Sequence, residues 1–297
     1  MRTLTYTITA ADEKRPVSRI VRSRLHLSYH LLAQLKLKNA IALDGEPVHA
    51  NHVVHAGQLL SVRLEEVRMS EASAPPEDAP DGIIYIDEDL FIVDKVAPLP
   101  CQSTDRQRSG TLENRLAHRF RDDPNGYVFR PVNRLDKGTS GLMSVARHPH
   151  AQMLLGQQLH SDRFVREYLA IAEGMLPSEA GVIDAPIGKS DGATVRREVR
   201  DDGKSARTHY RVLARTANGL SLVQLRLESG RTHQIRVHLA YVDCPVYGDF
   251  LYGEERDELR GRFALHSHRI ELDHPISGER LYFESPLPDP LRALIST

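Results

Sequence analysis

The stretch HYRVLARTANGLSLVQLRLE, residues 209–228, decides the fold class, because two alternating runs flank the pair Asn218–Gly219. Gly and Asn tolerate the positive φ that tight hairpin turns require, so such a pair between alternating runs predicts two antiparallel strands. Working outward, REYLAIAEG (166–174) is strand-like, and IIYIDEDLFIVDK (83–95) reads as two short strands split by the acidic turn Asp87–Glu88–Asp89. RFALHSHRIELDHP (262–275) and ERLYFESP (279–286) alternate again. From residue 83 onward, helical spacing is confined to three segments. TLENRLAHRF (111–120) puts Leu112, Leu116 and Phe120 on one stripe, and HPHAQMLLGQQL (148–159) carries Pro149 where a first turn accepts it. GRTHQIRVHLAYV (230–242) opens at Gly230 and then aligns Ile235, Leu239 and Val242. Many antiparallel strands with few helices predict an α+β fold, a mixed but mainly antiparallel sheet with a few flanking helices.

The period breaks at MSEASAPPEDAPDG (69–82), where Pro, Ala, Ser and acidic residues predict an extended, solvated linker. It separates a small domain, 1–68, from a large one, 83–297. In the small domain Ile20, Leu27, Leu31, Leu32 and Leu35 fall at helical spacings within Val17–Lys38, with Arg19, Arg22 and Arg24 near the start. An Asp44–Gly45 turn between short apolar runs and the alternating GQLLSVRLEE (57–66) add a hairpin and a strand. Two short helices followed by this β unit describe a compact α/β module. Taken alone, its basic helix face is what any solvated helix shows.

Composition narrows the partners. A chain of 297 residues with 40% hydrophobic content and a formal charge of −1 is globular and is not coated in positive charge. Basic groups must therefore be concentrated if a polyanion is bound, and residues 1–66 do hold nine Lys/Arg against six Asp/Glu. Cys101 and Cys244 lie far apart without CxxC or Cys/His company, so neither a zinc site nor a disulfide framework is expected. The N-terminus has no apolar signal region and no run of apolar residues is long enough to span a bilayer, so a cytoplasmic protein without membrane contact is expected.

Three segments can carry chemistry. In RPVNRLDKGTSGLM (130–143), Asp136 follows a strand-like stretch and enters a Gly138–Thr139–Ser140–Gly141 turn whose hydroxyls could fix its direction. Alone, an Asp before such a turn is usually a cap. In LESGRTHQIRVHLA, Arg231, His233, Arg236 and His238 fall within eight residues. The histidines are five apart, not the four that zinc ligation from one helix face needs, whereas arginines at a Gly-led turn suit phosphate or carboxylate. In REYLAIAEG, Tyr168 could stack on a base or exchange a proton, although a lone strand Tyr is more often core. Gly188–Lys189–Ser190 ends like a phosphate loop but lacks the required Gly, position 183 being Ile.

Together and in this order, these segments resemble the RluA-type family of RNA pseudouridine synthases. The family's HRLD-x-x-TSG signature stands as Asn133 to Gly141, its Tyr strand as Glu167 to Ala170, and its Gly-Arg-Thr-His-Gln-Ile-Arg segment intact as Gly230 to Arg236. CPVYGDFLYG matches its Gly-Asp-x-x-Tyr-Gly element, and LHSHRIELDHPISGERLYFESPLP its C-terminal strands. Residues 1–67 are similar to the alpha-L type RNA-binding module. Two departures stand out: Asn133 replaces the usual His, and DKVAPLPCQST replaces a Lys-Pro-Ala-Gly-like turn.

The resemblance implies an isomerase that detaches uracil from C1′ of a uridine in structured RNA, ribosomal or transfer, and rejoins it through C5, with no cofactor and no metal. Asp136 would be the essential carboxylate, attacking C1′ or taking a proton from C2′. Arg236, or else Arg231, would hold it ionised. Tyr168 would stack on the uracil and accept the C5 proton, Ile235 would lie under the base, and Thr139 would belong to the binding turn. The uridine must be flipped out, and Arg134 is placed to fill the vacated stack or hold the neighbouring backbone. Arg19, Arg22 and Arg24, with the Arg-rich 106–134 stretch, would attract phosphates. A monomer is expected. The competing readings are a non-catalytic RNA-binding or ribosome-assembly protein that keeps the fold, and a nucleoside or glycoside hydrolase, which would need a second acid at a set separation.

Overall fold

The computed structural model describes residues 2–64, 75–123, 127–159, 161–192 and 195–296. The chain begins with β1 (Arg2–Thr7), followed by α1 (Val17–Ser23), α2 (Tyr29–Leu37), β2 (Ile41–Leu43), β3 (Glu46–Pro47) and β4 (Leu59–Leu64). These strands form one antiparallel sheet in the order β1-β4-β2-β3. Ile20, Val21, Leu32 and Leu35 of the helices share a core with Leu4, Ile41, Leu60 and Val62 of the sheet. The two helices, the hairpin and the strand at 59–64 match expectation. β1 does not, since RTLTYT offers a single fully buried residue, Leu4, and its signal is the β-propensity of Thr and Tyr rather than an apolar run.

A buried carboxylate ties this module together. Asp12 is fully enclosed and accepts hydrogen bonds from the Tyr6 hydroxyl at 2.6 Å, the Thr9 hydroxyl at 2.8 Å and Arg24 Nε and Nη2 at 3.0 and 2.9 Å. These bonds, Tyr6 first, hold its carboxyl well below the usual range against the opposing effect of burial. Arg24, expected to face RNA, has two of its donors engaged by Asp12, whereas Arg19 and Arg22 are exposed on α1.

The second sheet begins with β5 (Ile83–Ile86) and β6 (Leu90–Lys95), then α3 (Leu112–Arg119), β7 (Ser140–Ala146), α4 (Pro149–Gln158) and β8 (Val165–Glu173). It continues through β9 (Ala180–Asp184), the small pair β10 (Ile187–Lys189) and β11 (Arg197–Val199), β12 (Arg207–Arg215) and β13 (Leu220–Leu227). α5 (Gln234–Tyr241), β14 (Leu265–Asp273), β15 (Arg280–Glu284) and α6 (Asp289–Ala293) complete it. Strand order is β5-β6-β7-β14-β8-β13-β12-β9, with β15 on β14 and β10–β11 apart. Among the described pairings β7–β14 alone is parallel, so the domain is α+β with a mixed, mainly antiparallel sheet. Alternation along β6 sends Phe91 and Val93 to one core and Leu90 and Ile92 to the other, so both faces of the sheet are covered there.

Two local expectations need correction, and one turn takes a form that the sequence had left open. The hairpin β12–β13 forms, with Tyr210 opposite Leu225, but residues 216–219 make a four-residue turn in which Gly219 alone takes a positive φ, 83°. Asp136 does not follow a strand. It precedes one, and the expected turn 138–141 already runs into β7. That strand, SGLMSVA, is buried at every position, so no alternation announced it. Of the expected linker, 69–74 lies outside the described residues, while 75–82 is not free in solvent. Asn114 Nδ2 donates to the Pro75 carbonyl at 2.8 Å and Gly110 N to Glu77 Oε2 at 2.8 Å. No helix among the described residues is long and apolar enough to cross a membrane.

The parallel crossing depends on one glycine. Gly141 has φ 101° and lies opposite Ser267, and a Cβ there would overlap the Ser267 carbonyl. Left-handed backbone costs a non-glycine residue about 1–2 kcal/mol, and overpacking adds about 1–3 kcal/mol. Gly141→Ala should therefore lower the unfolding free energy by about 3 kcal/mol in a urea titration. A change within experimental error would refute this account of the crossing.

Candidate active site

The loop before β7, strand β8 and helix α5 meet over the centre of the sheet, where β7, β14 and β8 are neighbours. They enclose an open cavity of about 590 Å³ lined by Asp136, Tyr168, Ile235 and Arg236 among others. The order of these segments in sequence says nothing of this meeting. The sheet order does it, by setting β14 between the strand that Asp136 leads into and the strand that carries Tyr168.

Arg236 is the organising group. It is almost fully buried on the inner face of α5, with Nη1 donating to Asp136 Oδ2 at 3.1 Å. Its Nε and Nη2 form a two-point bridge to Asp249 Oδ2 and Oδ1 at 2.6 and 2.8 Å. Burial opposes the charge on Arg236, but the hydrogen bonds and charge of Asp249, with Asp136 beyond them, outweigh it and raise its pKa. Aromatic faces enclose the guanidinium, with Phe263 4.1 Å and Tyr252 5.0 Å from its central carbon. Asp249 is fully buried and also accepts from the backbone N–H of Leu251 at 3.0 Å. Asp136 keeps 29% side-chain exposure, and its Oδ1 has no hydrogen-bond donor among the described residues.

The turn before α5 explains its own sequence. Gln234 Oε1 accepts from Arg231 N and the Ser229 hydroxyl, each at 2.9 Å, while its Nε2 donates to the Arg207 carbonyl at 3.0 Å. His233 takes a left-handed φ of 58° as the N-cap, the kind of strain that collects at working sites. The Tyr252 hydroxyl accepts from Arg197 N at 2.9 Å and can donate to His233 Nδ1, also at 2.9 Å. That leaves the proton of the neutral ring on Nε2, 4.0 Å from Asp136 Oδ1, and burial lowers the His233 pKa in keeping with neutrality. His238 is structural. Its Nε2 donates to the Ala185 carbonyl at 2.9 Å, and it too is held neutral by burial.

Lys95 secures the other wall. It is buried at the end of β6, with Nζ donating to the carbonyls of Leu99, Val96 and Lys137 at 2.8, 3.0 and 3.5 Å. These contacts clip residues 96–99, the departure from the usual turn, onto the chain just after Asp136. Burial pushes its pKa down to about 8. Asn133, where the related signature has His, is buried, and its Oδ1 accepts from Ser144 N and Oγ at 3.0 Å each.

Of the residues chosen from sequence, Asp136, Tyr168, Ile235, Arg236, Thr139, Arg134 and Arg231 all border the cavity. Arg231 is not beside the carboxylate: its Nε donates to the Ser205 carbonyl at 3.0 Å and the side chain is exposed. Arg19, Arg22 and Arg24 belong to the small module and do not line the cavity. Burial raises the Tyr168 pKa, so the phenol is protonated at neutral pH, which works against its expected part as acceptor of the C5 proton. Sequence reasoning assigned no role to Asp249, Tyr252, Phe263 or Lys95. The Gly248–Asp249 and Tyr252–Gly253 pairs were the available signal, because a buried Arg beside a half-exposed Asp needs a second anion.

Comparison with known proteins gives the family. A family model described as RNA pseudouridylate synthase matches residues 89–241. An uncharacterized RNA pseudouridine synthase of Bacillus subtilis (strain 168), YhcT, is 36% identical over 280 residues, covering 94% of this chain and 91% of its own. The ribosomal large subunit pseudouridine synthase D of Xanthomonas campestris pv. campestris is 39% identical over 269 residues, 86% of this chain and 80% of its own. Among solved structures, human RNA pseudouridylate synthase domain containing 1 superposes with a TM-score of 0.56 at 26% identity, over 71% of this chain and 86% of its own.

Two outcomes follow from the charges. Asp249→Ala removes one partner of a buried pair and should cost about 3–5 kcal/mol in denaturant unfolding, with activity falling although Asp136 is intact. Unchanged stability would show that Asp249 does not hold Arg236. For Lys95, folding lowers the pKa from 10.5 to about 8, so between those values the unfolded chain binds more protons. Its contribution to stability therefore rises with pH across that window and is level below it. The native-minus-Lys95→Met difference in unfolding free energy, followed from pH 7 to 10, should climb. A flat difference refutes the shift.

Proposed function

Because this chain belongs to the RNA pseudouridylate synthase family, and so is an isomerase that converts uridine to pseudouridine in RNA, we propose that Asp136 is its catalytic carboxylate. The observation that carries the assignment is the Arg236 bridge, which engages Oδ2 from a buried position and leaves Oδ1 to the cavity. Oδ1 is then the oxygen that attacks C1′ or removes the C2′ proton as the bond from C1′ to N1 breaks. The uracil turns in place and C5 joins C1′, as Asp136 either leaves C1′ or returns the C2′ proton; the C5 proton then passes to water in the open cavity and N1 takes one up in exchange. Arg236 holds Asp136 oriented through the cycle.

Tyr168 and Ile235 enclose the base, Tyr168 as a neutral phenol that stacks. His233 Nε2, with its proton toward Asp136, is within reach of a carboxylate or sugar oxygen in the cavity. Arg134, exposed at the rim, takes the space of the flipped uridine, and Arg19 and Arg22 of the small module meet phosphates. Residues 1–68 act as the RNA-binding domain and 83–297 as the catalytic one.

We take large-subunit ribosomal RNA as the substrate, on the support of the relatives named for it, with transfer RNA as the outcome that would displace it. We also infer a monomer, and the two free thiols suit a cytoplasmic setting. A non-catalytic RNA binder has no need of an uncapped carboxylate oxygen held in an open cavity.

The test is pseudouridine content, by mass spectrometry and carbodiimide mapping, of ribosomal and transfer RNA incubated with native protein and with Asp136→Asn. Native protein should modify a defined uridine, and Asp136→Asn should bind the same RNA and leave it unmodified. Modification by Asp136→Asn at the native rate would dismiss Asp136.

A further inference from the structure

Arg166 and Tyr168 are two positions apart on β8, so their side chains leave the same face of the strand, and both border the cavity that holds Asp136. Arg166 is only 7% exposed, yet among the described residues it has no carboxylate partner and no hydrogen-bond acceptor, and its Nε is fully enclosed without one. Arg236, equally buried in the same wall, has two carboxylates. Of the two buried arginines that border the cavity, one has its charge met by carboxylates and the other has none among the described residues. An unpaired cation at that depth is costly unless something that enters the cavity compensates it.

The surroundings leave room for the guanidinium and an anion. Nη1 lies against the backbone of Gly230, close enough that a Cβ there would sit 3.1 Å from it. The first glycine of the Gly230–Arg236 turn therefore lets the arginine reach between β8 and the start of α5. A planar guanidinium offers a fork of N–H donors matched to two oxygens of one phosphate. RNA brings one such phosphate on each side of the uridine that must sit over Asp136.

Building on the reading of the site given above, we propose that Arg166 is a phosphate-binding positioning residue, which takes a backbone phosphate flanking the flipped uridine and so fixes its sugar over Asp136. Arg134, exposed at the rim, and Arg231, committed to the Ser205 carbonyl, are not equivalent to it. Its partner is the phosphate rather than a uracil carbonyl, because only an anion neutralises the buried charge.

The experiment uses an RNA fragment carrying the uridine identified by mapping, synthesised with a neutral methylphosphonate at its 5′ or its 3′ flank. With native protein one of the two replacements should lower kcat/KM by about ten- to a hundredfold. Arg166→Gln should lower it by a similar factor on unmodified RNA, and the sensitive replacement should then cause no further loss. The variant should also flatten the slope of log affinity against log salt by about 0.7–0.9. Losses that multiply at both flanks, or a native kcat/KM in Arg166→Gln, overturn the assignment. Should Arg166→Gln fail to fold, Arg166→Lys decides: its single-point ammonium must shrink the penalty at the sensitive flank, and an undiminished penalty overturns the proposal. A native protein inactive on every RNA overturns the reading of the site and this assignment with it.

Discussion

A guanidinium placed inside a folded domain must be neutralised there, and Arg236 is neutralised twice, by Asp249 behind it and by Asp136 in front. The division of labour is unequal. Asp249 is fully buried and takes two donors at short range, whereas Asp136 takes one and keeps part of its surface open. Two carboxylates share one cation, and the exposed member faces the cavity. Much else in the domain serves this arrangement: Phe263 and Tyr252 wall off the guanidinium from water, which keeps the local dielectric low and the pair strong.

The same constraint accounts for residues far from it in sequence. Gly138 has no side chain because a Cβ would lie 2.6 Å from the Phe263 ring that covers Arg236. Lys95 gathers three carbonyls at the base of the Asp136 loop, so the loop is held by a buried ammonium that burial would rather discharge. Gln234 closes the turn that aims α5 inward. Arg166 stands outside this network. Its unmet charge in the same cavity is what separates a group prepared for a ligand from one that holds the protein together.

Much of the fold was legible because it rests on local period. The runs at 209–228 and 262–286 alternate, those at 83–95 and 166–174 are short strand-like stretches, and the helices at 111–120 and 148–159 carry stripes and terminal signals that act within a few residues. β7 escaped because a strand covered on both faces does not alternate, and β1 because one buried leucine among threonines is a weak pattern. The turn at 216–219 was found in place but not in type. Loop length depends on how the strands twist together, which the Asn218–Gly219 pair alone does not state.

By itself the sequence determined the class of fold and the identity of the groups able to do chemistry: a carboxylate, a tyrosine and arginines in ordered segments. Those are properties of single residues and of short spacings. Which arginine faces Asp136, that Arg24 is claimed by Asp12, that Asp249 completes the pair and that Arg166 has no partner among the described residues were decided by tertiary structure. Residues about 100 positions apart are brought within 3.1 Å by the order of strands in the sheet. Electrostatic energy depends on distance and burial, and neither is a function of position along the chain.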